Sequence, residues 1–159
     1  MAVATSSYDA DFFAWTQDQA TALRRVAELR INLPGADLEH LAEEVEDMGN
    51  DVLAKIEGFV SQIVAHLLKL EYSPAPDPRR HWRGEITEWR ATVRRRARRS
   101  PTALQQVDLE ELVEDARAGL RNRHGDWAWV ADLPETCPYS IGQILDPDFF
   151  PANRHGLGE

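Results

Sequence analysis

The stretch Val52–Glu71, VLAKIEGFVSQIVAHLLKLE, decides the fold. At 100° per residue, Ile56, Phe59, Val60, Ile63, Val64, Leu67, Leu68 and Leu70 cover about half of a helical circumference. A stripe that wide needs neighbours on several sides, so it predicts a central helix wrapped by others. Ser73-Pro74-Ala75-Pro76 ends it, because proline has no N–H to give and its ring clashes with the preceding turn. No apolar run approaches the roughly 18 residues of a membrane span.

Upstream of this stretch, Leu38, Leu41, Ala42, Val45 and Met48 line one side of a helix that Asp37 can cap. Gly49-Asn50 predicts the end of that helix or a kink before Val52. Nearer the start, Asp9 is the expected N-cap, with Asp11 favourable in the first turn. Phe12, Trp15, Leu23, Val26 and Ala27 then recur at helical spacing up to Leu33-Pro34-Gly35.

Downstream, Asp77-Pro78 pairs a capping residue with proline at the first helical position. Trp82, Ile86, Trp89, Val93 and Ala97 follow at i, i+4, i+7, i+11 and i+15. Ser100-Pro101 opens another helix, and Asp108-Leu109-Glu110-Glu111 one that continues through Leu112, Val113, Ala116 and Leu120. After His124-Gly125 the pattern decays into an apolar turn at Trp127, Trp129 and Val130. Ser140 with Gln143 caps one last turn, and Phe149 and Phe150 pin an extended end. No strand pattern persists. The expected fold is all-α: a compact single-domain bundle of about five to six helices around 52–71, with an irregular C-terminal tail. The expected organisation is a disordered N-terminus over 1–7, one helical domain over 8–151 and a tail over 152–159.

A chain of 159 residues with 43% apolar content is the size of one ordinary domain and too apolar for a disordered one. Its one cysteine, Cys137, excludes a disulfide framework or a multi-cysteine zinc site, and lacks the electropositive neighbours that activate a thiol. The start, MAVATSS, has no secretory pattern, so a cytoplasmic location is expected. The net charge of −9 argues against nonspecific nucleic-acid affinity, but the charges are segregated. Residues 79–99 hold nine Arg against two Glu, and residues 37–57 hold eight carboxylates against Lys55. Such blocks either face each other or serve different partners; mutual pairing is the expected outcome.

Several motifs carry a family resemblance. Tyr8-Asp9-x-Asp11-Phe12-x-x-Trp15 stands at the start, Leu41-Ala42-Glu43-Glu44-Val45-Glu46-x-Met48-Gly49 follows, and His66-Leu67-Leu68-Lys69 comes later. Further along stand Trp82 with Ile86, Ser100-Pro101, Cys137-Pro138-Tyr139, Gln143, Leu145-Asp146 and Phe149-x-Pro151. From about residue 8 to 151 this order resembles the bacterial family called domain of unknown function 29. The resemblance implies a compact helical protein of cyanobacteria and proteobacteria, with no assigned activity.

Candidate chemistry is sparse. Glu39, Glu43 and Glu46 share one stripe at i, i+4 and i+7, and stacked carboxylates can hold a divalent cation or split their pKa values into an acid and a base. His66, on the edge of the apolar stripe, is the candidate fourth member. The helical di-metal pattern would place Glu three residues before His66, where Ile63 stands. Arg83, Arg90, Arg94 and Arg98 form the candidate basic patch, and 16 of the 18 cations are Arg, the residue suited to bidentate carboxylate or phosphate contacts. No P-loop, nucleophile elbow or dinucleotide fingerprint is present. The sequence therefore predicts a small non-catalytic protein-interaction or regulatory module, with no catalytic residue, no cofactor and a protein partner or a second copy of itself. The alternatives are nucleic-acid binding by the arginine helix and, after it, metal-dependent acid–base chemistry at Glu39, Glu43, Glu46 and His66.

Overall fold

In the computed structural model, which describes residues 7–29 and 33–158, Asp11 rather than Asp9 starts the first long helix. Its Oδ1 accepts the Ala14 N–H at 3.1 Å, satisfying one of the donors a helix start leaves open. Just before it lies a four-residue helical turn, α1 (Ser7–Ala10), so Ser7 is ordered; the rest of the expected disordered segment, 1–6, lies outside the described residues. The helices that follow are α2 (Phe12–Glu28), α3 (Leu38–Tyr72), α4 (Arg79–Arg99), α5 (Pro101–Gln105), α6 (Leu109–His124) and α7 (Ile141–Leu145), with a 3-10 turn at Ala128–Asp132. Among the described residues there is no strand, and the fold is all-α, with seven α-helices rather than five or six.

The contacts gather into two compact units, Met1–Ile56 with Arg95–Val107, and Glu57–Arg94 with Asp108–Glu159. The division falls within α3, within α4 and in the loop between α5 and α6.

In the first unit the expected break at Gly49-Asn50 does not occur: α3 runs unbroken for 35 residues. The glycine is there because α2 passes against it. A Cβ at Gly49 would lie 2.0 Å from Thr16 Oγ1 and 3.0 Å from Gln17 Nε2. Thr16 cannot swing aside freely, since its hydroxyl donates to the Phe13 carbonyl at 2.7 Å and the residue is fully buried. The buried residues here, Phe13, Thr16, Ala20, Ala42 and Ala103 among them, are mostly small, which suits backbones at close range. Asp11 also reaches across to α5: its Oδ2 accepts the Thr102 N–H at 2.9 Å and a short bond from the Thr102 hydroxyl. One carboxylate thus caps two helix starts.

The second unit holds the larger core. Val60, Ile63, Val64, Leu67, Leu68 and Leu70 of α3 are buried, with Ile86 and Val93 of α4, Leu112, Val113, Ala116 and Leu120 of α6, and Trp129, Val130 and Ile144 beyond. This is the wide stripe that the sequence predicts. The C-terminal tail over 152–159 belongs to this unit, and the end of α3 explains why. A helix terminus leaves four carbonyls without partners. Here Ser73 N–H donates to Lys69 O, and Leu70 O accepts from Arg79 Nη1 at 2.7 Å and Asn153 Nδ2 at 2.8 Å. Arg154 N–H donates to Glu71 O at 2.9 Å, and His155 Nε2 to Tyr72 O at 3.0 Å. Residues 153–155 therefore cap a helix 80 positions earlier in the chain.

Candidate functional site

The candidate residues divide by what each touches. Of the three carboxylates, Glu46 closes on Arg24 of α2, with Nη2–Oε2 at 2.6 Å and Nη1–Oε1 at 3.3 Å. That hydrogen bond holds its carboxyl below the usual range. Glu39 and Glu43 are exposed. Their combined field, together with Glu46, raises the Arg24 pKa further. Among the described residues no group of three or more His, Cys, Asp or Glu is placed to hold a metal ion, so Glu39, Glu43, Glu46 and His66 do not assemble into one centre. The expected pairing of this acidic stripe with the arginine helix is replaced, at Glu46, by an arginine that lies upstream of both.

The basic patch is corrected at its middle. Arg90 is fully buried, and its guanidinium spans the end of α7: Nε donates to Ile144 O at 2.7 Å, Nη2 to Phe149 O at 2.9 Å and to Gln143 O at 3.3 Å. Burial lowers its pKa to about 10, which leaves it charged at neutral pH. Arg83 lies over the Phe150 ring at 4.3 Å and Arg90 at 5.0 Å, so one ring takes both guanidiniums. Only Arg94 and Arg98 of the four are exposed. The missed signal is in the spacing. Arg79, Ile86, Arg90 and Val93 are the buried residues of α4, at intervals of 7, 4 and 3, so Arg90 sits on the core stripe and not beside it.

His66 is buried, as its place on the stripe predicts. Its Nδ1–H donates to Gln62 O at 3.0 Å, and its Nε2 lies 2.9 Å from Glu85 Oε2 and 3.3 Å from Lys69 Nζ. Trp89 meets the ring edge-on at 4.8 Å, Lys69 lies 5.4 Å over Trp82, and His81 reaches the other Glu85 oxygen at 3.4 Å. Burial pushes the His66 pKa down to about 4, with the Lys69 charge adding to the drop and Glu85 opposing it. Burial also lowers Lys69. Burial and Lys69 thus work against the imidazolium, and the Glu85 carboxylate at 2.9 Å works for it. None of the three lines either apolar cavity described below.

Cys137 donates its thiol to Tyr139 O at 3.1 Å, and burial raises its pKa, the opposite of what a nucleophile needs. Tyr139 donates to Glu71 Oε2 at 2.7 Å, and burial together with that carboxylate raises the phenol strongly.

Two apolar concavities stand apart from these clusters. In the first unit, Tyr8, Phe12, Met48 and Val52 line a groove of about 280 Å³ that Arg96, Arg99 and Ser100 border. Tyr8 is wedged edge-on against Phe12 at 5.5 Å and Trp15 at 4.9 Å, yet is 43% exposed, and Met48 is 50% exposed. In the second unit, Trp127, Trp129, Asp132 and His155 wall a cavity of about 480 Å³ against Ser73 and Pro74. The groove has no signature in the sequence, because its lining comes from four separate helices, α1, α2, α3 and α4.

The model of the family described as domain of unknown function DUF29 matches residues 7–150. The chain belongs to this family. A crystal structure of an alpha-helical protein of unknown function from Rhodospirillum rubrum is similar to it, at 32% identity and a TM-score of 0.71, over 91% of this chain and 92% of that one. No curated protein matches the chain. The family match and the solved relative carry the fold and name no activity. No helix among the described residues of this DUF29 chain is long and apolar enough to cross a membrane.

Proposed function

We propose that this DUF29 chain is a non-catalytic protein-interaction module, docking through the groove of Tyr8, Phe12, Met48 and Val52. The observation that carries the reading is the pairing of exposed large apolar side chains with a basic rim. Tyr8 and Met48 leave apolar surface in water at the groove, and Arg96 and Arg99 stand at its edge. Exposed apolar surface beside ordered charge marks a place where another chain is bound. The occupant that fits is a peptide segment with one large apolar side chain for the groove and a carboxylate within a few residues for Arg99, which is exposed and offers a bidentate fork. The alternative of enzymatic work has less to stand on at His66, whose ring is buried and whose cluster lines neither apolar concavity.

A display selection of random peptides against the folded chain tests this. The expected result is enrichment of segments joining Leu, Phe or Trp to Asp or Glu. Binding should be lost in Met48→Ser and shifted toward basic peptides in Arg99→Glu. Both positions are exposed, so both variants should fold. Peptides that bind both variants as well as the parent, or no enrichment at all, would overturn the proposal.

A further inference from the structure

The cavity of the second unit is independent of that groove, and its chemistry is specific. Trp127 and Trp129 flank the start of the 3-10 turn, and their rings stand 6.1 Å apart with planes 53° from each other, forming a corner. Trp127 is 47% exposed, an unusual state for the largest apolar side chain, whereas Trp129 is 5% exposed and fixed. His124 stacks on Trp127 at 4.4 Å and holds its plane. Burial and the charges of Lys69 and Arg123 keep His124 neutral, so the ring supplies no competing cation.

The rest of the wall fits the same reading. Asp132 closes the 3-10 turn, is exposed and lines the cavity. No lysine or arginine is among the lining residues, and Asp132 supplies their formal charge. His155 stands opposite, tied by Nε2 to Tyr72 O. About 480 Å³ is room for a small organic molecule. Aromatic faces at an angle, with one carboxylate and no fixed cation, attract an alkylated ammonium: the rings meet its methyl groups through their negative faces and the carboxylate meets its charge. A neutral ligand of the same shape gains the burial and loses both electrostatic contacts.

We propose that the cavity of Trp127, Trp129, Asp132 and His155 is a binding site for a small alkylammonium cation. Choline is the probe, and 3,3-dimethylbutan-1-ol, the same shape without the charge, is its control. The indole N–H signals of the full chain in two-dimensional NMR report binding at individual tryptophans. Choline should shift the Trp127 and Trp129 signals saturably, and the neutral isostere should bind about tenfold more weakly or worse. Asp132→Asn and Trp127→Leu should each weaken choline by about fivefold or more. Asp132 is exposed on a turn, so Asp132→Asn decides the matter even where Trp127→Leu fails to fold. Equal affinity for the two probes, no saturable shift, or unchanged affinity in Asp132→Asn would overturn the site.

Discussion

Single side chains in this protein join parts of the chain that lie far apart in sequence. Arg90 reaches three carbonyls between residues 143 and 149, and Asn153 reaches three between residues 70 and 73. Guanidinium and amide groups suit this work because each presents several donors in fixed geometry, and buried carbonyls are costly to leave unpaired. His66 plays a different part. Its pKa lies near 4 in the fold against an ordinary value of 6.5, so between those limits the unfolded chain binds more protons than the native one. Its contribution is intact above about pH 6.5 and is lost progressively as the pH falls toward 4, by an amount on the order of 3 kcal/mol. The groups facing it are Lys69 and Glu85, with the Gln62 carbonyl at Nδ1 and the Trp89 ring edge-on. Urea melts of the parent and of His66→Gln at pH 7 and pH 4.5 should show that the variant loses less stability on acidification. Parallel losses in the two proteins would contradict the role. The sequence marks His66 as a partly buried histidine on the stripe edge, but not Glu85 as its partner, because that contact depends on how α3 and α4 pack within the second unit.

At the scale of elements, the helix α3 shows how one residue type carries opposite meanings. Gly49 and Gly58 both sit inside an unbroken helix, where glycine costs about 1 kcal/mol relative to alanine. A Cβ at Gly58 meets nothing within 4 Å, whereas at Gly49 it runs into Thr16. Gly58→Ala should therefore stabilise by about 0.5–1 kcal/mol. Gly49→Ala should destabilise by about 1–3 kcal/mol, because the clash with a buried, hydrogen-bonded threonine outweighs the gain in propensity. Thermal melts of the two variants decide it; a rise in Tm for both would show that α2 yields at this crossing. The sequence signals, Gly followed by Asn, are those of a helix end. The chain overrides them because apolar spacing resumes in phase at Val52 and because the neighbouring helix needs the room.

For the molecule as a whole, the C-terminal residues are the test of where folding stops. The family match ends at residue 150, yet Asn153, Arg154 and His155 close the end of α3 in the second unit. A chain ending at Pro151 should lose about 3 kcal/mol, since several carbonyls of a buried helix end would go unpaired at about 1 kcal/mol each. For a chain of this size that is a fall in Tm of about 6–12 °C. A truncated chain that melts with the parent would show that water replaces these bonds without loss. The all-α class, the order of helices, most caps and the wide apolar face of α3 were determined by the sequence alone, since each rests on local spacing and on proline, Asp and Ser at helix starts. Where Arg90 and Glu46 find their partners, why Gly49 is small, and which side chains wall the groove and the tryptophan cavity were decided only by tertiary structure. Those features are contacts between distant segments, and a one-dimensional period fixes which face a residue occupies without fixing what that face meets.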